Sequence, residues 1–392
     1  MPLPSPEFDQ QQVRRAMRLA MNGRGRVEPN PMVGCVIVNR DGRVIGEGYH
    51  AQYGEPHAEP AALADCTEPP AGGTAYVTLE PCCHTNKQTP PCAPRLIDAQ
   101  LARVVIGCLD PNPAVNGKGV AMLRAAGIQV DGSVLEGAAK QLIAPFLARV
   151  EHQRPYVTLK WAESSNGKVA GPRGRRARIS NPLSTRVVHE LRSRCDAILV
   201  GVNTVIADDP QLTARGVNLV RPLPLVQVVL DTRLRIPHNS RLVEDAGRLI
   251  VLCSRRAYDR TVVDDAKELR DRGVEVIPCS TDEAGRLSLP DALDALREWN
   301  FTHLLVEPGP TLASSFLRSN LGDRIWVIRS SNPIEGDDAP SATPIPPSLA
   351  RTGETSLAGD TLTEYLNPAS PVFFAPEPSA DFVLASGGSG VA

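Results

Sequence analysis

The sequence has little of several features that mark whole classes of protein. Aromatic side chains make up only 4% of its 392 residues, which argues against a stacking surface for single-stranded nucleic acid. A formal net charge of −2 argues against bulk electrostatic binding to nucleic acid. No apolar run approaches the length of a membrane span, and residues 1–6 lack the basic and apolar regions of a signal peptide. We therefore expect a cytoplasmic protein with no nucleic-acid or membrane partner.

The nine cysteines are too few for a disulfide framework in a chain of this length. The 42% hydrophobic content and the length together predict two domains with packed cores. Six cysteines lie mostly in or beside apolar runs, where buried thiols are expected; these are Cys35, Cys66, Cys108, Cys195, Cys253 and Cys279.

One imidazole and two thiolates form the most informative pattern in the chain. His57, Cys82 and Cys92 supply the nitrogen and sulfur ligands that zinc prefers, with a fourth position left for water. Glu59 lies two residues after His57, and its carboxylate can transfer protons at such a site. This is the pattern of zinc nucleobase deaminases, in which the glutamate is the acid–base group and not a ligand.

Two other potential ligands crowd the same loop. Cys83 adjoins Cys82 and His84 follows, and either side chain could fill the open position and make the zinc site purely structural. A closed site would leave Glu59 without a role. Because adjacent residues rarely both point at one metal, we assign Cys82 as the ligand and keep Cys83 as the alternative.

The hydrophobic pattern predicts alternating strands and helices in both halves of the chain. In the first half, Asp9 is a candidate N-cap and Asp41–Gly42 is a hairpin turn. The predicted strands are 33–38, 43–48, 74–79 and 103–107, between helices at 9–22, 57–65, 92–100 and 136–150. A sheet with helices on both faces, an α/β sandwich, follows.

A second α/β series begins after a junction at 153–155. Its predicted strands are 156–160, 197–201, 225–230, 249–253, 302–306 and 324–328, and its helices are 182–194, 259–272, 290–299 and 310–319. After residue 330 the chain becomes rich in proline and acidic residues, although residues 371–374 could form an edge strand.

Longer segments carry a family resemblance that covers about residues 9–330. In the first half they are Pro29–Gly34, Gly46–His50, His57–Glu59, Thr78–Cys82, Thr89–Cys92 and Asp110–Pro113. In the second half they include Val157–Lys160, Asn166–Lys168, Ile179–Ser180, Leu191–Ser193, Asp196–Gly201, Asn203–Val205, Asp208–Arg215, Val229–Thr232 and Val306–Leu312. The chain resembles the RibD family of riboflavin-biosynthesis enzymes, in which a pyrimidine deaminase is fused to an NADPH-dependent reductase.

The resemblance implies a fold and two reactions. Residues 1–150 would form a cytidine-deaminase-like α/β/α sandwich, residues 155–385 a dihydrofolate-reductase-like α/β domain, and residues 386–392 a disordered tail. The reactions are hydrolytic deamination of 2,5-diamino-6-(5-phosphoribosylamino)pyrimidin-4-one and NADPH-dependent reduction of its ribosyl group to ribityl. One Zn²⁺ per chain, NADPH, a small-molecule substrate and a homo-oligomer are implied with them.

The resemblance also implies roles for individual residues. For the deaminase, Glu59 is the acid–base catalyst, and Asn30, His50 and Asn112 contact the substrate; the alternative is that Asn30 and Asn112 are turn residues beside prolines. For the reductase, Lys160 lies near the reacting sugar, and the substrate contacts are Arg192, Leu212, Arg215 and Glu307. The NADPH contacts are Ala162, Thr204, Asp208, Thr232, Gly309, Pro310, Thr311, Leu312, Ala313, Ser314 and Ser315.

The chain departs from the family pattern in the reductase half. Glu163 replaces an apolar residue, Asn166 replaces an aspartate, and Arg176 and Arg178 replace a small hydroxyl and an indole. An alternative is therefore an active deaminase whose reductase-like domain has lost or changed its hydride transfer. A deaminase of free or nucleic-acid-bound bases is disfavoured by the long interval between Cys82 and Cys92, and a zinc-stabilised nucleotide-binding scaffold would leave Glu59 unused.

Overall fold

The computed structural model describes residues 4–85, 89–218, 221, 224–245, 247–261 and 265–375. The described part of the chain divides into two compact units, residues 4–152 together with 374–375, and Gln153–Phe373. Within the described residues, no helix has both the length and the apolar character needed to cross a bilayer.

The first unit contains a five-stranded sheet. Its elements are α1 (Pro6–Ala20), β1 (Gly34–Val38), β2 (Val44–Tyr49), α2 (Ala58–Ala64), β3 (Thr74–Leu79), α3 (Cys92–Asp98), β4 (Arg103–Cys108), α4 (Lys118–Ala125), β5 (Gln129–Asp131), α5 (Glu136–Leu142) and α6 (Ala144–His152). The strand order is β2-β1-β3-β4-β5. β1 pairs antiparallel with both β2 and β3, whereas β3, β4 and β5 are parallel.

Every residue of β3 and of β4 is buried, as expected for parallel strands covered on both faces. One core packs α2, α3 and α4 against alternate residues of β1, β3 and β4, such as Ile37, Val77 and Ile106. α1 contacts β1 and β3 with its own buried stripe, including Val13 and Met17. The predicted α/β sandwich is therefore present.

Two local predictions for this unit were wrong. The N-cap of α1 is Ser5, whose Oγ accepts a hydrogen bond from the Phe8 amide at 3.3 Å, and the helix begins before Asp9. Asp9 is instead buried and accepts hydrogen bonds from Arg103. The single helix expected at 136–150 is two helices, because Ile143 leaves helical geometry (φ −102°, ψ 15°).

The second unit contains a nine-stranded sheet. Its elements are β6 (Tyr156–Glu163), α7 (Pro182–Arg192), β7 (Ala197–Gly201), α8 (Val202–Asp208), β8 (Val226–Leu230), α9 (Arg241–Glu244), β9 (Leu249–Ser254), α10 (Arg255–Thr261), α11 (Asp265–Asp271), β10 (Glu275–Cys279), α12 (Leu289–Ala295), β11 (His303–Val306), α13 (Pro310–Arg318), β12 (Arg324–Arg329), β13 (Ala350–Leu357) and β14 (Asp360–Leu366). The strand order is β10-β9-β8-β7-β11-β6-β12-β14-β13. The first seven strands in this order are parallel, and β14 pairs antiparallel with β12 and β13.

The largest differences from the sequence prediction lie near the end of this unit. Residues 371–374 form no strand, whereas β13 and β14 form a hairpin that extends the sheet. β14 alternates buried and half-buried residues along its whole length, which is the period of a strand with one covered face. The helix predicted at 259–272 is present as α10 and α11, and residues 262–264 between them lie outside the described part of the chain.

Candidate active sites

Three side chains from separate elements of the first unit meet at one point. His57 is the N-cap of α2, Cys92 is the first residue of α3, and Cys82 follows β3. Nδ1 of His57 lies 3.6 Å from the Sγ of Cys82 and 3.5 Å from the Sγ of Cys92. A tetrahedral zinc with ordinary bond lengths holds its nitrogen and sulfur ligands about 3.6 Å apart. The donor set therefore fits zinc, which His57 would bind through Nδ1.

Backbone and side-chain contacts hold these ligands in place. The Cys92 amide donates to the carbonyl oxygen of Cys82 at 3.0 Å and lies 3.4 Å from its Sγ, a contact that favours a thiolate. Nε2 of His57 lies 3.2 Å from the hydroxyl of Thr89, so its second ring nitrogen also has a partner. Such outer contacts orient metal ligands.

The structure separates the two neighbouring cysteines. Among the described residues, the group of ligand atoms within 4.8 Å of one another contains Cys82 and not Cys83. The Cys83 side chain packs against the apolar core of the sheet, and burial raises the pKa of its thiol. His84 lies in the wall of the adjoining cavity.

Glu59, in the first turn of α2, is only 3% exposed and lines a cavity of about 280 Å³ together with His57 and Cys82. Burial raises the pKa of this carboxyl, and the Cys82 thiolate raises it further, against the opposing effect of His57. A carboxyl group with a raised pKa, placed beside the position of the attacking water, can both accept and return a proton.

The three residues expected to contact the pyrimidine all line the same cavity. When Nδ1 of His50 donates to the Pro56 carbonyl at 3.1 Å, its Nε2 accepts from the Asn30 amide at 3.2 Å. The Asn112 oxygen accepts from the Ala114 amide at 3.0 Å, so this residue also has the turn role that was its alternative.

Sequence reasoning missed other parts of this cavity. Phe146 and Arg149 reach its wall from α6, and no spacing in the sequence connects that helix to the zinc motif. The buried carboxylate of Glu80 accepts the amides of Gly117 at 2.9 Å and Val120 at 3.1 Å. These hydrogen bonds hold the loop that carries Asn112 in place. The position of Glu80 in the Leu-Glu-Pro-Cys segment, beside a predicted zinc ligand, was a signal that could have predicted a structural role for it.

In the second unit, two opposite charges form a buried pair beside a lysine. Arg192, the last residue of α7, donates to Glu307 from Nε at 2.8 Å and from Nη2 at 2.7 Å. Burial opposes ionisation of Glu307, but Arg192 and Lys160 outweigh it and lower its pKa. Burial, with a smaller contribution from Arg192, lowers the pKa of Lys160 on β6. The three side chains thus lie close enough to share one electrostatic environment.

The segment that carries Leu212 and Arg215 is hydrogen-bonded to Arg192 of the Arg192–Glu307 pair and to α7. Nη1 of Arg192 donates to the Thr213 carbonyl at 3.1 Å, and the Arg215 amide donates to Nδ1 of His189 at 3.1 Å. The Leu212 side chain is buried, at 3% exposed, so any contact with a ligand would come from its backbone. Arg215 is exposed and can reach a ligand with its side chain.

A cavity of about 490 Å³ lies at the carboxyl ends of β7 and β8 and at the N-terminus of α13. It is lined by the predicted NADPH contacts Thr204, Thr232, Gly309, Pro310, Thr311, Leu312 and Ser315. Among the described residues, its lining does not include Ala162, Asp208, Ala313 or Ser314. Ala313 is buried, and the hydroxyl of Ser314 accepts a hydrogen bond from Arg318.

The chemistry of this cavity suits a dinucleotide. The amide groups at the start of α13 favour phosphate, and the walls are partly apolar. Three arginines that the sequence did not single out, Arg235, Arg286 and Arg318, add positive charge. The residues present therefore fit NADPH.

Two of the residues that depart from the family pattern, Glu163 and Asn166, make specific contacts in the structure. Glu163 is buried and accepts hydrogen bonds from Nε and Nη2 of Arg329 through one oxygen. The Asn166 side chain accepts from the Ile334 amide at 3.1 Å and donates to its carbonyl at 2.9 Å, a pairing that an aspartate could not complete. Arg176 and Arg178 are exposed on the segment before α7.

Comparison with known proteins covers both units. Residues 6–108 match the cytidine and deoxycytidylate deaminase zinc-binding region, and residues 155–343 match the RibD C-terminal domain. The riboflavin biosynthesis protein RibD of Aquifex aeolicus is 39% identical over 322 residues, 82% of this chain and 86% of the relative. That of Escherichia coli is 37% identical over 351 residues, 86% of this chain and 91% of the relative.

The chain belongs to the RibD family. Acinetobacter baumannii RibD has the same fold, with a TM-score of 0.78 at 33% identity over 92% of this chain and 99% of the other. A diaminohydroxyphosphoribosylaminopyrimidine deaminase/5-amino-6-(5-phosphoribosylamino)uracil reductase from Thermotoga maritima gives 0.74 at 33% identity, with the same coverage of both chains.

Family membership confirms the predicted fold class, enzyme class and cofactors. The chain is a bifunctional enzyme of riboflavin biosynthesis that acts on a small molecule, with a zinc-dependent deaminase domain and a reductase domain of the NADPH-dependent type. The alternative of a deaminase with an inactive reductase-like domain is not favoured, because bifunctional relatives match across both units.

Proposed function

We propose that this chain converts 2,5-diamino-6-(5-phosphoribosylamino)pyrimidin-4-one in two steps, first by hydrolytic deamination at C2 and then by reduction of the ribosyl group. The observation that carries the proposal is the convergence of His57, Cys82 and Cys92 beside Glu59 in one cavity. A purely structural zinc site has no use for a buried carboxylate at that place.

For the deaminase step, we assign His57, Cys82 and Cys92 to zinc and Glu59 to proton transfer. Held by His57, Cys82 and Cys92, zinc would lower the pKa of a water molecule, so that hydroxide would be available at neutral pH to attack the amidine-like C2 carbon. Glu59 accepts the proton that the nucleophile loses, delivers a proton to the ring nitrogen, and then assists the departure of ammonia. Water is consumed and ammonia is released, so the C2 amino group is replaced by a carbonyl.

Asn30, His50 and Asn112 are the proposed substrate contacts, since they lie in the wall of the cavity that holds Glu59. The hydrogen bond between His50 and Asn30 fixes the orientation of the Asn30 amide. The oxygen of that amide can then accept a hydrogen bond from an exocyclic amino group or a ring N–H of the pyrimidine.

For the reductase step, we assign Lys160 to the reacting carbon and Arg192, Leu212, Arg215 and Glu307 to the phosphoribosyl group. The residues that line the cofactor cavity would hold NADPH, which would supply the hydride for C1 of the opened ribose, and a proton added to the attached nitrogen would give the ribityl amine. Lys160 in its charged form polarises the imine or a neighbouring hydroxyl. Arg192 uses three donors on Glu307 and Thr213, which leaves two N–H groups for substrate oxygens.

A coupled assay tests this proposal. Purified zinc-loaded protein is given the diaminopyrimidinone substrate with and without NADPH, and ammonia and NADPH oxidation are followed together. We expect ammonia in both reactions and NADPH oxidation only after the deaminated intermediate has formed. Accumulation of that intermediate with NADPH present would refute the reductase half, and absence of ammonia would refute the deaminase half.

Three broader expectations belong to the same proposal. We infer a homo-oligomer, which light scattering after size-exclusion chromatography would test, and a cytoplasmic location, which cell fractionation would test. We also propose functional boundaries at residues 1–150 for the deaminase, 155–385 for the reductase, and a tail at 386–392 that lies outside the described residues.

A further inference from the structure

The position of Lys160 sets the orientation in which NADPH would lie across the sheet of the second unit. If Lys160 on β6 marks the reacting carbon, as the proposed function holds, the nicotinamide end of NADPH must lie on the β6 side. The strands that follow β6 towards the cavity are β11, β7 and β8 in that order. With neighbouring strands about 4.8 Å apart, β8 lies about 14 Å from β6.

The start of α13 directly follows β11 and so lies between these two ends. Gly309 and Thr311 line the cavity there, where the helix N-terminus of this nine-residue helix favours the pyrophosphate. A dinucleotide with its nicotinamide on the β6 side and its pyrophosphate at α13 must place its adenosine over the ends of β7 and β8.

The segment after β8 presents an arginine at that end. Arg235 lines the cavity, and its Nη2 donates to the side-chain oxygen of Asn203 at 3.1 Å. The buried carboxylate of Asp231 lies 3.9 Å from Nε of Arg235 and accepts the backbone amides of Arg235 and Ile236. The guanidinium of Arg235 is therefore positioned by the Asn203 amide and, at a longer distance, by Asp231, and it has further N–H groups for a ligand.

The charged side chains in the rest of the cavity lining also favour an anionic group. Among the residues that the structure describes, its lining contains three arginines and a single carboxylate, Asp282, which pairs with Arg286 at 3.0 Å. Sites for NAD place a carboxylate on the ribose 2′-hydroxyl, whereas sites for NADP place an arginine near the 2′-phosphate. In the described lining, the one acidic side chain is thus already paired.

We propose that Arg235 binds the adenosine 2′-phosphate of NADPH and sets the preference for NADPH over NADH. Arg286, which also lines the cavity, assists with a smaller effect, because it pairs with Asp282. The inference deepens the proposed reductase function and depends on it.

Isothermal titration of the full-length protein with NADPH and with NADH tests the inference. Arg235→Ala should weaken NADPH binding about tenfold or more, as expected for the loss of a charge-assisted contact, while NADH affinity stays near that of the wild type. Arg233→Ala is the matched control, since Arg233 is exposed on the same segment and is absent from the described lining of the cavity. It should change neither affinity.

The retained NADH affinity also controls for folding, and Arg235→Gln provides a second variant of similar size. Equal loss of both dinucleotides, or no loss of either, in folded Arg235 variants would overturn the assignment while leaving the proposed reductase intact. A wild-type protein that binds neither dinucleotide would overturn the reductase function and this inference with it. Stronger NADH than NADPH binding by the wild type would overturn the inference alone.

Discussion

Arg192 and Glu307 form a bidentate pair, with Nε and Nη2 of the guanidinium 2.8 Å and 2.7 Å from the two carboxylate oxygens. The pair joins the end of α7 to the end of β11, and both side chains are largely buried, at 13% and 17% exposed. Breaking such a pair leaves the remaining charge uncompensated in a poorly solvated place.

We expect Arg192→Lys to reduce kcat/KM for NADPH oxidation by about tenfold or more, because a lysine cannot reproduce the two parallel hydrogen bonds. Ammonia release should be unchanged, since it depends on the first unit. Arg186→Lys on the same helix is the control, because Arg186 is 68% exposed and pairs with Glu190 on the surface. Equal rates for the two variants would contradict the role given to the pair.

The pH dependence of the reductase should report on Lys160. Burial and the nearby Arg192 lower its pKa below the 10.5 of an ordinary lysine, although Glu307 acts in the opposite direction. The charged form is therefore lost at a lower pH than usual, and NADPH oxidation should fall on the alkaline side with a midpoint below 10.5.

The variant Lys160→Arg distinguishes this titration from general alkaline damage. A guanidinium keeps its proton, so any activity that the variant retains should persist to higher pH. Steady-state rates at saturating NADPH, measured across the alkaline range, give the comparison. An alkaline limb at the same pH in both proteins would assign the titration to another group.

The metal ligands can be tested by metal analysis. We expect about one zinc per chain in the wild type, and loss of zinc and of ammonia release in Cys92→Ala, because two remaining ligands hold the ion poorly. Cys83→Ala should retain both zinc and activity, since Cys83 packs against the apolar core. A Cys83→Ala protein without zinc, beside a zinc-loaded Cys82→Ala protein, would transfer the ligand role to Cys83.

Glu59→Gln tests proton transfer without removing a ligand. The amide has nearly the same shape but cannot accept and return the proton, so ammonia release should fall by about 10²- to 10⁴-fold while zinc content and substrate affinity persist. Ammonia assays and metal analysis on the same preparation decide the matter. Normal ammonia release from this variant would remove Glu59 from the mechanism.

The parts of the fold that the sequence predicted well are those with a strong local signal. The apolar run of β3 gave its bounds, and the Asp41–Gly42 turn gave the β1–β2 hairpin, in which Gly42 has φ +80°. The hairpin of β13 and β14 was missed because its strands carry few large apolar residues in a proline-rich region. The two-residue alternation of a strand is present in the sequence of β14, but the proline-rich and acidic composition of the region obscured it.

The functional sites were likewise predictable only where a local sequence pattern exists. Residues joined by a short motif, such as His57 and Glu59, could be predicted because their spacing sets their relation. Cys82 and Cys83 could not be separated with certainty by spacing, since only the path of the loop decides which thiol turns to His57 and which to the core. Arg149 and Arg235 reach their cavities through tertiary packing, which leaves no pattern in the neighbouring sequence.

A buried ion pair away from both sites gives a final prediction, about stability. Arg103 donates to both oxygens of Asp9, at 2.8 Å and 2.6 Å, and Tyr76 adds a hydrogen bond to the same carboxylate at 2.8 Å. Arg103→Met would leave Asp9 buried without its cation, and we expect the free energy of unfolding to fall by about 3–5 kcal/mol. Arg43→Met, which breaks an exposed pair with Glu68, should change it little. Urea unfolding of the zinc-loaded protein measures both, and similar values for the two variants would show that burial of the Arg103 pair has no energetic consequence.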